Sequence, residues 1–219
     1  MPASIERFQA VLTLLRLVDK NLLLNREFLV SIIRAAGIHP FGPYDPFAQE
    51  GGLMLQDPHQ FADALITLSR YRCNRLIEVG TWAGHTGCFL TAFLQRYNPE
   101  VQTLCVDVLD VARNSFGLPI TFLVGTSDIA RDLQFDLAFI DGDHTFPWIE
   151  RDYQNVGARS PVCVFHDIDN ADFDMLDPGR FWEDLKQREP GSEFFEFKYP
   201  GKHFMGIGVR IKPTVAVHR

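Results

Sequence analysis

No stretch of this sequence stays apolar for the roughly 18 residues that a membrane-crossing helix needs. Arg16, Asp19, Lys20 and Arg26 interrupt the hydrophobic region near the N-terminus, so no membrane partner is expected. Basic residues are in deficit: 21 Lys and Arg against 28 Asp and Glu leave a net charge of −7. A nucleic-acid backbone favours clustered cations, and none cluster here, which argues against nucleic acid as a partner. Cysteine is sparse. Cys73, Cys88, Cys105 and Cys163 form no C-x-x-C pair, and three of them fall inside apolar strand or helix patterns. Buried reduced thiols are the expectation, rather than disulfides or zinc ligands, and with them a cytoplasmic location. Glu6 and Arg7 ahead of an amphipathic stretch argue against a signal peptide. Internal repeats and low-complexity tracts are missing as well.

What is present is an ordinary globular composition, 46% hydrophobic over 219 residues, sufficient for one domain with an extension. Ile5, Phe8, Val11, Leu12, Leu15 and Val18 recur at helical spacing over residues 5 to 18. A second helix is predicted from Asn25 as N-cap to Gly37 as stop. Residues 38 to 56 then carry Pro40, Gly42, Pro43, Pro46, Gly51 and Gly52 together with Phe41, Tyr44 and Phe47. This reads either as a functional aromatic loop or as a plain linker. Asp57-Pro58 predicts a helix start, with Gln60 placed for a capping box. From there strands and helices alternate. Strands are expected at Leu76–Val79, Leu104–Val108, Ile120–Val124, Phe135–Asp141 and Val162–Asp167. Their apolar runs lack strict alternation, as in parallel strands covered on both faces. Phe194–Tyr199 and Met205–Ile211 flank Pro200-Gly201-Lys202 and predict a closing antiparallel hairpin.

The stretch Leu76-Ile77-Glu78-Val79-Gly80-Thr81-Trp82-Ala83-Gly84-His85-Thr86-Gly87 is the most informative. An apolar strand ends in an acid, a glycine turn follows, and a helix begins. In an open α/β sheet such a turn is where a nucleotide-like ligand comes closest to the backbone. Gly80 and Gly84 are expected to leave room for that ligand. The dinucleotide spacing G-x-G-x-x-G fails, because Trp82 and His85 stand at its second and third glycines. An indole there would obstruct a pyrophosphate, so an adenosine ligand without phosphates fits better. Four predicted strands end in acids: Glu78, Asp107, Asp141 and Asp167. Asp107 lies 27 positions after Gly80, near where a carboxylate grips two ribose hydroxyls. Gly125-Thr126-Ser127-Asp128 after the third strand suits an adenine ring, with Ser127 or Asp128 as a helix N-cap the structural alternative. Phe139-Ile140-Asp141-Gly142-Asp143-His144 packs two carboxylates and an imidazole at one strand end, and His166-Asp167 closes the next.

The acid–x–Gly–x–x–x–Gly turn resembles the first motif of class I S-adenosylmethionine-dependent methyltransferases. F-I-D-G-D-H paired with H-D resembles the branch that includes sugar O-methyltransferases and cephalosporin hydroxylase-like proteins. The likeness spans roughly residues 52 to 211. It implies an α/β fold: a Rossmann-like three-layer sandwich around a mostly parallel seven-stranded sheet with a C-terminal antiparallel hairpin; the N-terminal helices fall outside the likeness. Residues 1–51 would then be a helical extension with the Pro, Gly and aromatic loop, and residues 52–219 the S-adenosylmethionine-binding domain. The resemblance makes Glu78, Gly80, Thr81, Trp82 and Gly84 the cofactor turn, Asp107 and Val108 the ribose site, and Thr126 and Ser127 the adenine site. Asp141 matches a position that meets the methionine end of the cofactor or a divalent cation, Asp167 a second metal carboxylate, and His144 a general base. His166-Asp167 stands where metal-dependent relatives carry two acids, which weakens a magnesium site. Asp169 as substitute, or a softer metal through His166, are the remaining ways to hold an ion.

The expected function is methyl transfer from S-adenosylmethionine to a small-molecule hydroxyl, with His144 taking the proton. A hydroxylase-like relative and a non-catalytic S-adenosylmethionine-binding protein are the alternatives. The apolar N-terminal helices leave a homo-oligomer open. The acidic loop from Ile168 to Gly179 fails the EF-hand spacing and reads as solvated, with a cationic acceptor as the functional alternative. Phe181 and Trp182 are expected in the core.

Overall fold

The structure, a computed structural model, describes residues 2–39 and 52–217, with Phe173 placed by its backbone alone. The aromatic stretch over residues 40–51 lies outside the described residues. Helix α1 (Ala3–Leu17) buries Phe8, Val11, Leu12 and Leu15, the stripe read from the periodicity. Helix α2 (Arg26–Ala36) is capped as expected: the Asn25 side chain accepts from Phe28 N at 3.0 Å, and Gly37 at φ 92° ends it. Helix α3 (Pro58–Leu68) begins on Asp57, whose Oδ1 accepts from His59 N and Gln60 N. The predicted capping box is only half made. Gln60 spends its amide elsewhere, donating to Phe204 O at 3.0 Å and accepting from Gly206 N at 2.8 Å. A long-range demand for backbone partners outcompetes the local cap.

The sheet comprises β1 (Arg75–Val79), β2 (Gln102–Asp107), β3 (Ile120–Val124), β4 (Leu137–Ile140), β5 (Val162–His166), β6 (Glu193–Phe197) and β7 (Ile207–Ile211). Its order is β3-β2-β1-β4-β5-β7-β6. The first five strands run parallel, and β7 inserts antiparallel between β5 and β6. β1 is central, with Glu78 level with Cys105 on one side and Phe139 on the other. Helix α4 (His85–Leu94) joins β1 to β2. Helix α5 (Phe146–Asp152) carries Pro147 in its first turn and continues as a π turn over Tyr153–Gly157 toward β5. Helix α6 (Asp177–Arg188) leads to β6. Between β3 and β4 there is only a 3₁₀ turn, Ser127–Ala130. Thr126 is its N-cap residue rather than Ser127 or Asp128.

Two buried clusters sandwich the sheet. One joins α1 to α4 with the outward-facing Leu76, Phe139, Val164 and Val209, so the N-terminal helices share the core. The other joins α5 and α6 with Ile77, Val106, Ile140 and Phe165. Phe181 and Trp182 lie fully buried in it, as their pattern predicts. All four cysteines are buried and unpaired. Continuous burial holds for β4, β5 and β7 but not for β3, an edge strand whose residues are half-buried or exposed. No helix among the described residues is long and apolar enough to cross a membrane. The chain reverses direction across the sheet at β1, with β2 and β3 to one side and β4 and β5 to the other. That reversal opens a crevice at the carboxyl ends of the strands.

Candidate active site

A cavity of about 650 Å³ occupies the crevice, within the size range of small-molecule sites. Its floor is Val79, Gly80 and Val106, and Asp107, Ser127, Asp141 and Asp167 rise from the strand ends. Leu55, Trp82, Trp148, Met175 and Met205 supply apolar wall. The sequence-predicted residues Gly80, Trp82, Asp107, Val108, Thr126, Ser127, Asp141, His144 and Asp167 all line it.

Glu78, Thr81 and Gly84 are placed differently. Glu78 lies beneath the turn and is essentially unexposed; it accepts from the Thr81 hydroxyl and from Cys105 Sγ. Burial pushes its carboxyl up to about 7, against those two donors. It braces the turn from below. Gly84 adopts φ 83° ahead of α4, and a Cβ there would come within 2.6 Å of the Phe122 ring. Gly80 adopts φ 84°, and a Cβ there would come within 2.0 Å of the Asp141 carbonyl. Both glycines answer first to the protein's own packing, although Gly80 also leaves the cavity floor open.

The turn is fixed by Asp107. Its Oδ2 accepts from Trp82 N at 2.5 Å and its Oδ1 from Leu109 N at 2.8 Å. Arg113 Nε donates to Trp82 O at 2.7 Å. Trp82 sits at φ 44°, Asp167 at 59° and Met205 at 57°, left-handed conformations that cost a bulky residue strain. All three line the cavity, and such strain gathers where a site must be held in one shape.

At the other end, four ionisable side chains meet. His166 Nδ1 lies 3.1 Å from both Asp141 Oδ1 and Asp167 Oδ2, and His144 Nε2 lies 2.8 Å from Asp167 Oδ2. These are ion-pair distances without hydrogen-bond alignment, and both His166 nitrogens are buried with no aligned partner among the described residues. Burial would lower the pKa of His166, but Asp141 and Asp167 outweigh it and hold it well above the ordinary imidazole value. Asp167 likewise raises His144 against its burial. The two imidazoles overcome the burial of Asp167 and keep its carboxyl below the usual range. Gln56 Nε2 donates to Asp141 Oδ2 at 3.2 Å, and Asn170 Nδ2 to Asp167 Oδ1 at 2.8 Å. Asn170 Oδ1 also accepts from Met205 N. Gln56 and Asn170 therefore belong to the site although no motif assigned them, and His166, read from the H-D pair as a softer-metal ligand, stands between the two carboxylates. Nothing in the sequence signalled Gln56 or Asn170, whose partners lie on other loops.

Asp141, His144 and Asp167 offer one ligand atom each, all within 4.8 Å of one another. This set can admit a divalent cation. Two carboxylates with an imidazole suit a transition ion better than magnesium, which prefers oxygen. His166 competes for the same two carboxylates. The opposite end suits a nucleoside: a carboxylate at the ribose position, apolar Val108 and Trp82 beside it, and the small residues Gly125, Thr126 and Ser127.

Residues 77–168 match a family model described as a methyltransferase domain. A comparison with curated proteins gives no match. Among solved structures, the O-methyltransferase TomG from Streptomyces achromogenes, in complex with SAM, is 19% identical with a TM-score of 0.54, over 74% of this chain and 82% of that one. An O-methyltransferase from Bacillus cereus, in complex with SAH, is 17% identical with a TM-score of 0.54, over 90% and 93%. A Podospora anserina methyltransferase bound to SAH is 12% identical with a TM-score of 0.53, over 87% and 94%. Sheet order, switch-point cavity and these superpositions agree: the chain has the Rossmann-like class I methyltransferase fold, a mixed, mostly parallel sheet with flanking helices.

Proposed function

We propose that this chain transfers a methyl group from S-adenosylmethionine to a hydroxyl of a small molecule, in the branch marked by F-I-D-G-D-H and H-D. The observation that carries this is that one cavity joins the Asp107 turn to the His144–Asp167 pair. Glu78, Thr81 and Gly84 would shape the turn, Gly80, Trp82, Asp107 and Val108 would hold the ribose side, and Thr126 and Ser127 the adenine. Asp141 would face the amino-acid end. The donor, when bound, supplies an electrophilic methyl on a sulfonium. The acceptor oxygen forms a bond to that carbon as the carbon–sulfur bond breaks, and its proton goes to His144. Asp167 stands against Nε2, which leaves Nδ1, unpartnered among the described residues, as the nitrogen that accepts the proton. A raised pKa suits a base that must hold that proton through transfer, while positioning supplies much of the rate. Where a divalent cation is bound, Asp141 and Asp167 would hold it and it would polarise the acceptor oxygen.

Residues 1–51 are part of the same proposal, as a helical extension of the domain over 52–219. Exposed Leu14, Leu17, Leu22 and Leu24 on or just after α1 make it the place to look for a second copy. Calorimetry with S-adenosylmethionine and S-adenosylhomocysteine tests the donor, and absence of both binding events overturns the proposal. Product mass against a panel of hydroxylated compounds tests the chemistry, since a methyl gain and an oxygen gain are separable.

A further inference from the structure

We propose that Arg113 is a positioning residue for methyl-donor binding, acting from outside the cavity by fixing the spacing of two loops that wall it; this rests on the methyl-donor proposal above. After β2 the chain from Val108 to Pro119 forms neither helix nor strand. Its first residues, Val108 and Leu109, are exposed and yet line the cavity. Trp82, on the turn after the neighbouring strand β1, lines the same cavity with its backbone at φ 44°. An exposed loop and a turn held in a left-handed conformation have little packing to keep them apart at one distance. Their polar backbone atoms do that instead. Asp107 accepts from the amides of both residues, Trp82 N and Leu109 N. Arg113 donates to the carbonyls of the same two residues, Nε to Trp82 O at 2.7 Å and Nη2 to Leu109 O at 2.6 Å. Trp82 and Leu109 are thus each pinned at both N and O, by one anion and one cation.

The chemistry requires arginine. Nε and Nη2 share one edge of the planar guanidinium, so a single rigid group spans both carbonyls. A lysine ammonium is a point donor on a flexible stem and does not set that spacing. The guanidinium also lies 6.0 Å from the centre of the Phe122 ring on β3, the ring that crowds Gly84. Arg113 is not among the residues that line the cavity, so its influence on a ligand passes through Trp82 and Leu109. Freeing the Trp82 carbonyl lets that residue relax toward the negative φ that bulky side chains favour, and the indole wall moves with it.

The test compares the intact chain with Arg113→Ala and Arg113→Lys. Calorimetry with S-adenosylhomocysteine should show about tenfold weaker binding for Arg113→Ala and roughly threefold for Arg113→Lys, which keeps one charge-assisted bond of the two. Hydrogen exchange should quicken in peptides covering residues 81–84 and 108–112 and stay unchanged in β1, β4 and β5. With an acceptor from the hydroxylated panel, donor KM should rise by the same factor while kcat at saturating donor moves less than about twofold. Unchanged affinity in a folded Arg113→Ala overturns the Arg113 proposal and leaves the donor proposal standing. Exchange that quickens across the whole sheet also overturns it, because the residue then serves the fold alone. A wild type that binds neither S-adenosylmethionine nor S-adenosylhomocysteine overturns both proposals. If a thermal melt shows Arg113→Ala unfolded, Arg113→Lys decides, and wild-type affinity and exchange in that variant overturn the assignment.

Discussion

The two ends of the cavity are built in opposite ways. The end proposed for the nucleoside is mostly backbone, a turn between β1 and α4 whose amides are held by the Asp107 carboxylate. The end proposed for the acceptor is side chains, with Gln56 ahead of α3, Asp141 and His144 after β4, His166 and Asp167 at the end of β5, and Asn170 in the next loop. A turn that must approach a ligand through its backbone needs glycines and an acid at fixed spacing, so it is written as a contiguous motif. A cluster of ionisable groups needs only that distant loops meet, and the sheet order arranges that.

The difference predicts that the two ends can be damaged separately. The largest effect is expected from His144→Ala, which should lower kcat by roughly 10²- to 10⁴-fold, the usual contribution of a general base. Donor affinity, set at the other end, should stay within about twofold on the same view of separable binding and chemistry. Stopped-assay kinetics alongside calorimetry measure both. A parallel collapse of donor affinity would show that the cavity works as one unit and that the contrast is false.

Glu78 gives the next largest effect, on stability. Its carboxyl holds a proton to about 7 in the folded chain against 4.5 ordinarily. The folded state therefore binds more protons across that window, and stability falls as pH rises through it. Full burial makes the cost of ionising it about 3 kcal/mol. Glu78→Gln should remove that slope, so denaturant melts from pH 4.5 to 8 should run flatter than those of the wild type. An unchanged slope would mean that Glu78 ionises freely and braces nothing.

Glu78 also marks the limit of the sequence. The strands, the Asn25 cap, the Asp57-Pro58 start and the Gly37 stop were legible, because each is decided by neighbours within four residues or by apolar patterning. An acid at a strand end gives no sign of whether it faces a ligand or the underside of a turn. That choice depends on Cys105 across the sheet and on Gly87, where a Cβ would come within 2.4 Å of the Glu78 carboxylate. The Gln60 amide was misread for the same reason, its partners lying beyond residue 200. His144 and Asp167 were read singly, whereas their pairing and the bridging role of His166 needed β4 beside β5.

Asp107→Asn should weaken S-adenosylhomocysteine binding by about tenfold, since one acceptor oxygen becomes an amide donor facing N–H groups. The acceptor end should be spared: kcat at saturating donor should change far less than affinity. A fall in kcat with affinity intact would reverse the roles assigned to the two ends.

The smallest effect bears on the motif that the sequence displays most openly. Gly84 was expected to make room for a ligand, but it does not line the cavity, and what it avoids is the Phe122 ring. Gly84→Ala should therefore cost about 1–2 kcal/mol of stability from its left-handed backbone, with a further part from the clash. Donor affinity should scarcely move. In the double variant with Phe122→Leu, the clash part should return while the backbone part stays, and a thermodynamic cycle separates them. If Gly84→Ala instead loses donor affinity with stability unchanged, then the glycine serves the ligand after all. The nucleoside end would then be as dependent on shape at that position as the acceptor end is on its side chains.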